Sequence, residues 1–157
     1  MKHVKKLAII AIVALTGIVV LAGCFGSGSP SAFAGVTPTA EQLHGRWEMT
    51  EIHTTGVGRH TENSAEWSFG YFVNFDANGN FKEKDYWNYE GETTATWALD
   101  GNTLTLTNPT QPAGAWFVFV GTRTVQITED GQSLRITYKR TQSGSTWTYT
   151  QTYVRAA

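Results

Sequence analysis

The chain has 157 residues and a formal net charge of −1, with 41% hydrophobic, 13% aromatic and only 16% charged residues. That length suits one compact domain, the low charge excludes a disordered polyelectrolyte, and the missing basic excess argues against a nucleic-acid binder. The single cysteine excludes an internal disulfide framework and a cysteine-based zinc site.

Met1 to Lys6 carries three lysines and no acid, and Leu7 to Leu21 is an apolar run whose only polar side chain is Thr16. Fifteen helical residues span about 22 Å, short of the roughly 30 Å hydrocarbon core of a bilayer. A basic stretch followed by a short apolar run reads as a secretory signal rather than a permanent span. Leu21-Ala22-Gly23-Cys24 stands directly behind it. This tetrapeptide resembles the bacterial lipobox, which implies cleavage before Cys24, attachment of a diacylglycerol to its thiol, and anchoring through palmitate-type acyl chains. Ala32-Phe33-Ala34 also fits the small-x-small rule of an ordinary secreted protein, but it lies eleven residues past Leu21. Phe25, where an aspartate is linked to inner-membrane retention, implies the outer membrane, facing the periplasm, in an organism with two. The expected organisation is a signal peptide over 1–23, a lipidated cysteine and Gly/Ser/Pro-rich tether over 24–40, and a folded domain over 41–157. Loss of the three leader lysines takes the formal charge from −1 to −4.

Beyond Glu41, aromatic, β-branched and threonine residues alternate with polar ones, the period of strands. Asp76-Ala77-Asn78-Gly79-Asn80, Glu90-Gly91, Asp100-Gly101-Asn102, Asp130-Gly131 and Ser143-Gly144 punctuate the alternation. Each offers Gly or Asn where a tight hairpin needs positive φ. Eight strands are expected, over 43–53, 67–76, 80–89, 92–99, 102–107, 115–127, 133–141 and 145–155. Residues 54–66 and 108–114 form the two longer connections. No helix is expected.

The alternation gives one apolar face: Trp67, Phe69, Tyr71, Val73 and Phe75, then Trp97 and Leu99, Leu104 and Leu106, Val125 and Ile127. Leu134, Ile136 and Tyr138, and finally Trp147, Tyr149 and Tyr153, continue it. Hairpin-linked strands bury such a face by closing into an antiparallel barrel, with a two-sheet sandwich as the competing arrangement. Leu43-His44-Gly45-Arg46-Trp47 at the domain start resembles the Gly-x-Trp opening of lipocalins and related calycin barrels. The stretches Phe75 to Phe81 and Leu99 to Leu104 are similar to those of small bacterial lipocalin-like domains. The resemblance implies an all-β, eight-stranded up-and-down barrel in which Trp47 closes one end and Arg155, from the last strand, lies across it. The Thr-Asp-Tyr signature of many lipocalins is absent from the later strands.

A lipocalin-type interior is either a packed core or a ligand cavity. For a small, largely apolar ligand, Trp67, Tyr71, Trp87, Trp97 and Tyr149 are the expected lining. Glu83 and Asp85 share a face with Phe81, Trp87 and Tyr89, where they could receive a cationic or hydrogen-bonding head; a register one residue different turns both outward. Gln151 is a second polar candidate. His44, His53 and His60, with Glu51 and Glu62 nearby, have no recognised metal spacing. No Gly-x-Ser-x-Gly or phosphate loop is present. Hence no enzyme, catalytic residue, metal or cofactor is expected. The competing function is recognition of an envelope protein, as in inhibitors that present an arm (here 25–40) or an apolar edge (108–117). Thr146, Thr148, Thr150 and Thr152 are expected on the solvated outer wall.

Overall fold

The computed structural model describes residues 33–56, 70–84, 91–110, 121–142 and 144–157. In chain order the elements are β1 (Gly35–Val36), α1 (Ala40–Leu43), β2 (Gly45–Gly56), β3 (Phe72–Phe75), β4 (Asn80–Lys84) and β5 (Thr93–Asp100). β6 (Thr103–Thr110), β7 (Gly121–Thr128), β8 (Ser133–Gln142) and β9 (Ser145–Arg155) follow. From β2 to β9 each strand pairs antiparallel with the next, and β2 pairs with β9, so the sheet closes on itself. The product is an eight-stranded up-and-down barrel of lipocalin-like architecture. Closure removes the exposed edges that a flat eight-stranded sheet would present.

The turns β3–β4, β5–β6 and β7–β8 lie at one end. At the first, both carboxylate oxygens of Asp76 are used. Oδ1 accepts from the amides of Asn78 at 2.9 Å and Asn80 at 2.7 Å, and Oδ2 accepts from the Asn80 side chain at 2.6 Å. These bonds, that of the Asn80 side chain foremost, hold the Asp76 pKa below the ordinary carboxylate value. Gly79 follows at φ +82°, where a side chain would be strained. Its carbonyl accepts from the Trp97 amide at 2.8 Å, tying the turn to β5. The other ends of β2, β4 and β6 lead into 57–69, 85–90 and 111–120, which lie outside the described residues together with the strand segments expected there.

Three details differ from the sequence reading. The folded body begins upstream of Glu41, inside the segment read as tether. Gly35 and Val36 pair with Thr128 and Ile127 of β7, beyond the point where β6 leaves off, and α1 follows. The turn of helix is set by a reciprocal capping box: Thr39 Oγ1 accepts from the Gln42 amide at 3.3 Å, and Gln42 Oε1 accepts from the Thr39 amide at 2.8 Å. Third, β6 runs on to Thr110 through Asn108-Pro109, read as a loop. Between Thr94/Thr110 and Thr96/Thr107 the partner strand gains one residue, and Asn108 takes φ +51° there. A bulge is where a strand accommodates Pro, and Asn tolerates the left-handed region.

Candidate functional site

The inward face is built from alternate residues: Trp47 and Met49 of β2, Val73 and Phe75 of β3, Phe81 and Glu83 of β4, and Thr93, Ala95 and Trp97 of β5. Leu104 and Leu106, Arg123, Val125 and Ile127, Leu134, Ile136 and Tyr138, and Tyr149, Gln151 and Tyr153 complete it, and all are buried. A bulge at Thr50 shifts β2 by one residue. Ile52 therefore joins the core cluster, while His53 stands beside Thr150 of the outer threonine row. Phe72 is buried as well, with the Arg46 guanidinium 3.7 Å over its ring.

The lumen divides into three levels. At the sealed end Leu43 and Trp47 are fully buried, and the Trp47 indole donates to the Leu43 carbonyl at 2.8 Å. The Arg155 guanidinium lies 4.1 Å over the Trp47 ring, in the arrangement the Gly-x-Trp resemblance implied. It donates to the carbonyls of Gln42 (2.7 Å), His44 (2.9 Å) and Gly131 (3.2 Å), stitching α1 and the β7–β8 turn to β9. Above this seal the Phe75 ring meets Trp97 edge-on at a centroid distance of 5.3 Å and Phe81 at a 60° tilt and 5.2 Å.

At mid-barrel, Arg123 and Glu83 form a bidentate pair. Nη1 donates to Oε1 and Nη2 to Oε2, each at 2.7 Å, with the side chains 1% and 5% exposed. Burial pulls the Arg123 pKa down, but the facing Glu83 carboxylate outweighs it, so the guanidinium is held above its ordinary value and stays charged. Its carbon lies 5.6 Å from the Phe81 centroid and 5.1 Å from that of Tyr138. Beyond the pair, Tyr138 and Tyr149 stack at 5.1 Å with planes 13° apart, and half-buried Trp147 packs nearby. Gly56 lies opposite Trp147, and a Cβ there would run into the indole.

Of the residues expected to line a ligand site, Tyr149 lies in the level farthest from Trp47, and Tyr71 is half-buried against the core. Trp97 belongs elsewhere. It packs on Phe75 and on His44 (5.9 Å) near the seal, and its indole donates to the Asp76 carbonyl at 3.2 Å. Glu83 faces inward, which settles the register question for this residue, but Arg123 engages both of its oxygens, so it is not an open anchor for a cationic head. Gln151 is buried and accepts from the Tyr153 hydroxyl at 3.0 Å. Trp67, Trp87, Asp85, His60 and Cys24 lie outside the described residues. His44 caps α1 at the sealed end, whereas His53 lies in the second half of β2 beyond the Thr50 bulge. Among the described residues no group of three or more His, Cys, Asp or Glu side chains converges.

Sequence reasoning overlooked Arg123, although it shares the inward parity of Val125 and Ile127; a charged residue in that position was the available signal. It also overlooked α1, which Thr39-x-x-Gln42 encodes. A depression of about 350 Å³ opens on the outer wall beside Asp76, Asn80, Lys82, Thr94, Thr96 and Asn108. Its Asp76 is engaged by Asn80, and its Lys82 faces Glu92 at 3.7 Å. Neither a scan against protein-family models nor a search of curated proteins finds a match for this chain.

Proposed function

We propose that the protein is a lipid-anchored lipoprotein of the bacterial cell envelope whose lipocalin-like barrel binds a small, largely apolar ligand. The observation that carries the reading is the asymmetry of the lumen. One end is sealed by Leu43, Trp47 and Arg155, and the other presents the Tyr138–Tyr149 stack and Trp147 above a charge-compensated pair. Aromatic walls with few polar groups suit an apolar or planar ligand. Membrane attachment rests on Leu21-Ala22-Gly23-Cys24 alone; among the described residues no helix is long and apolar enough to cross a membrane.

Titration with a neutral apolar fluorophore is the direct test. Saturable binding with quenching of tryptophan emission is expected, weakened about tenfold or more by Tyr149→Ala, which removes one half of the aromatic stack. Absence of saturable binding to any of a panel of apolar probes would overturn the ligand reading. The anchor is tested separately. Cys24→Ser is expected to abolish labelling by radioactive palmitate, and undiminished labelling would reject acylation at this position.

A second reading, recognition of an envelope protein by a packed barrel, draws on the way Arg123 and Glu83 fill the middle of the lumen. It predicts a stoichiometric complex with an envelope protein that forms equally well with Tyr149→Ala.

A further inference from the structure

The chain enters the barrel at its sealed end. β7 runs towards that end and β1 is antiparallel to it, so β1 runs away from it and Phe33 lies on the sealed side of Gly35. The entry point is pinned. The Arg135 guanidinium lies 4.2 Å over the Phe33 ring, and a Cβ at Gly35 would meet Phe33 and Gln126 at 2.7 Å. Nine residues lead from Cys24 to Phe33. Covalent geometry limits the reach of nine residues to about 30 Å. Strands of 8 to 11 residues, tilted as in a barrel, give a wall about 20–28 Å tall.

We propose that the anchored barrel stands on its bilayer with the sealed Trp47 end towards the lipid and the Tyr138–Tyr149 end towards the aqueous compartment. The proposal rests on the lipid-anchor reading above. Turning the barrel over would require the leash to run the full height of the wall, close to its maximum extension. Electrostatics acts in the opposite sense. Glu41, Glu48, Asp100, Glu129 and Asp130 are exposed towards the sealed end, with half-buried Asp76, against Arg46 and the half-buried Arg135 and Arg155, whereas Lys139 and Arg140 lie towards the other end. An anionic leaflet therefore repels the near end and attracts the far one. Screening decides the balance: the field falls off over a Debye length of about 8 Å, well short of the roughly 30 Å that the leash can reach. Repulsion thus lifts the sealed end off the surface without inverting the molecule. An upright barrel exchanges its ligand with the aqueous compartment rather than with the leaflet that anchors it.

Lipidation consumes the only native cysteine, so an introduced cysteine is a unique thiol. Asn102→Cys in the β5–β6 turn and Thr146→Cys at the start of β9 are both exposed and lie at opposite ends. Each mature, acylated chain is labelled with a donor dye and reconstituted in phosphatidylethanolamine–phosphatidylglycerol vesicles carrying a head-group acceptor lipid. Energy transfer is expected to be roughly twofold or more stronger from position 102, given the height of the wall. Phe33→Ala combined with Gly35→Val, which unpins β1, is expected to bring the two values together. Equal or stronger transfer from position 146 in the otherwise native chain would overturn the orientation. A mature chain whose mass shows no acyl group would overturn the anchor reading instead, and the orientation with it.

Discussion

Arg123→Met alone is expected to cost about 3–5 kcal/mol of folding stability, whereas Glu83→Leu with Arg123→Met is expected to be close to neutral or stabilising. The two side chains are almost completely removed from water and satisfy each other with two bonds of 2.7 Å. Removing one partner leaves an ion in a medium that cannot solvate it, and the neighbouring Phe81 ring offers Glu83 nothing in exchange. Removing both also removes the desolvation cost, and apolar side chains of similar volume restore the packing beside Val73 and Leu104, their register partners on the neighbouring strands. Urea unfolding of the four corners of the cycle gives the coupling directly. An Arg123→Met cost below about 1 kcal/mol, the range of solvent-exposed pairs, would show that water reaches the pair. The pH dependence has a defined sign. Arg123 is a base whose pKa is raised on folding, so its contribution is complete below its ordinary unfolded value and is lost only as pH rises through the higher folded one. The gap between wild type and Arg123→Met is therefore expected to stay constant from neutral to mildly alkaline pH.

The pair also marks the limit of what alternation could reveal. The wall of the barrel was legible because strand period and turn chemistry are local: Asp76 to Asn80 and Asp100 to Asn102 fall where the structure turns, and Val125, Ile127, Leu134, Ile136 and Tyr153 face inward as their spacing required. Trp47 under Arg155 was legible through resemblance, since a short motif and the last strand's basic residue suffice. Forty residues separate Glu83 from Arg123, and only the closed barrel brings them together. The alternation puts Glu83 on the face of Phe81 but gives it no partner, and it leaves Arg123 unassigned. Bulges impose the second limit. One extra residue at Thr50 reverses the faces of the remainder of β2, and one at Asn108 carries a strand through a Pro that reads as its end. Trp97 shows a third: a large aromatic on the inward face fits a ligand wall or a core equally well in sequence, and only the fold places its indole against the Asp76 carbonyl at the sealed end.

The seal gives the other large effect. Trp47→Ala is expected to lose about 3–5 kcal/mol, because a fully buried indole is replaced by a cavity flanked by Leu43 and Val73 and the Leu43 carbonyl loses its donor. For a domain of this size that lowers Tm by on the order of 10–20 °C. Arg155→Ala is expected to cost about 1.5–3 kcal/mol, as charge-assisted bonds to three carbonyls and the contact over the indole are lost together. Arg155→Lys keeps the charge but not the fork. One ammonium cannot reach the carbonyls of Gln42, His44 and Gly131 at once, nor lie flat on the Trp47 ring, so less than half of the loss should be recovered. Because the two residues touch, the double alanine variant should cost less than the sum of the singles by about 0.5 kcal/mol or more. Thermal and urea unfolding of the three variants and the double supply these values. Full recovery by lysine would mean that charge alone, rather than the planar guanidinium bridging three elements, holds the sealed end together.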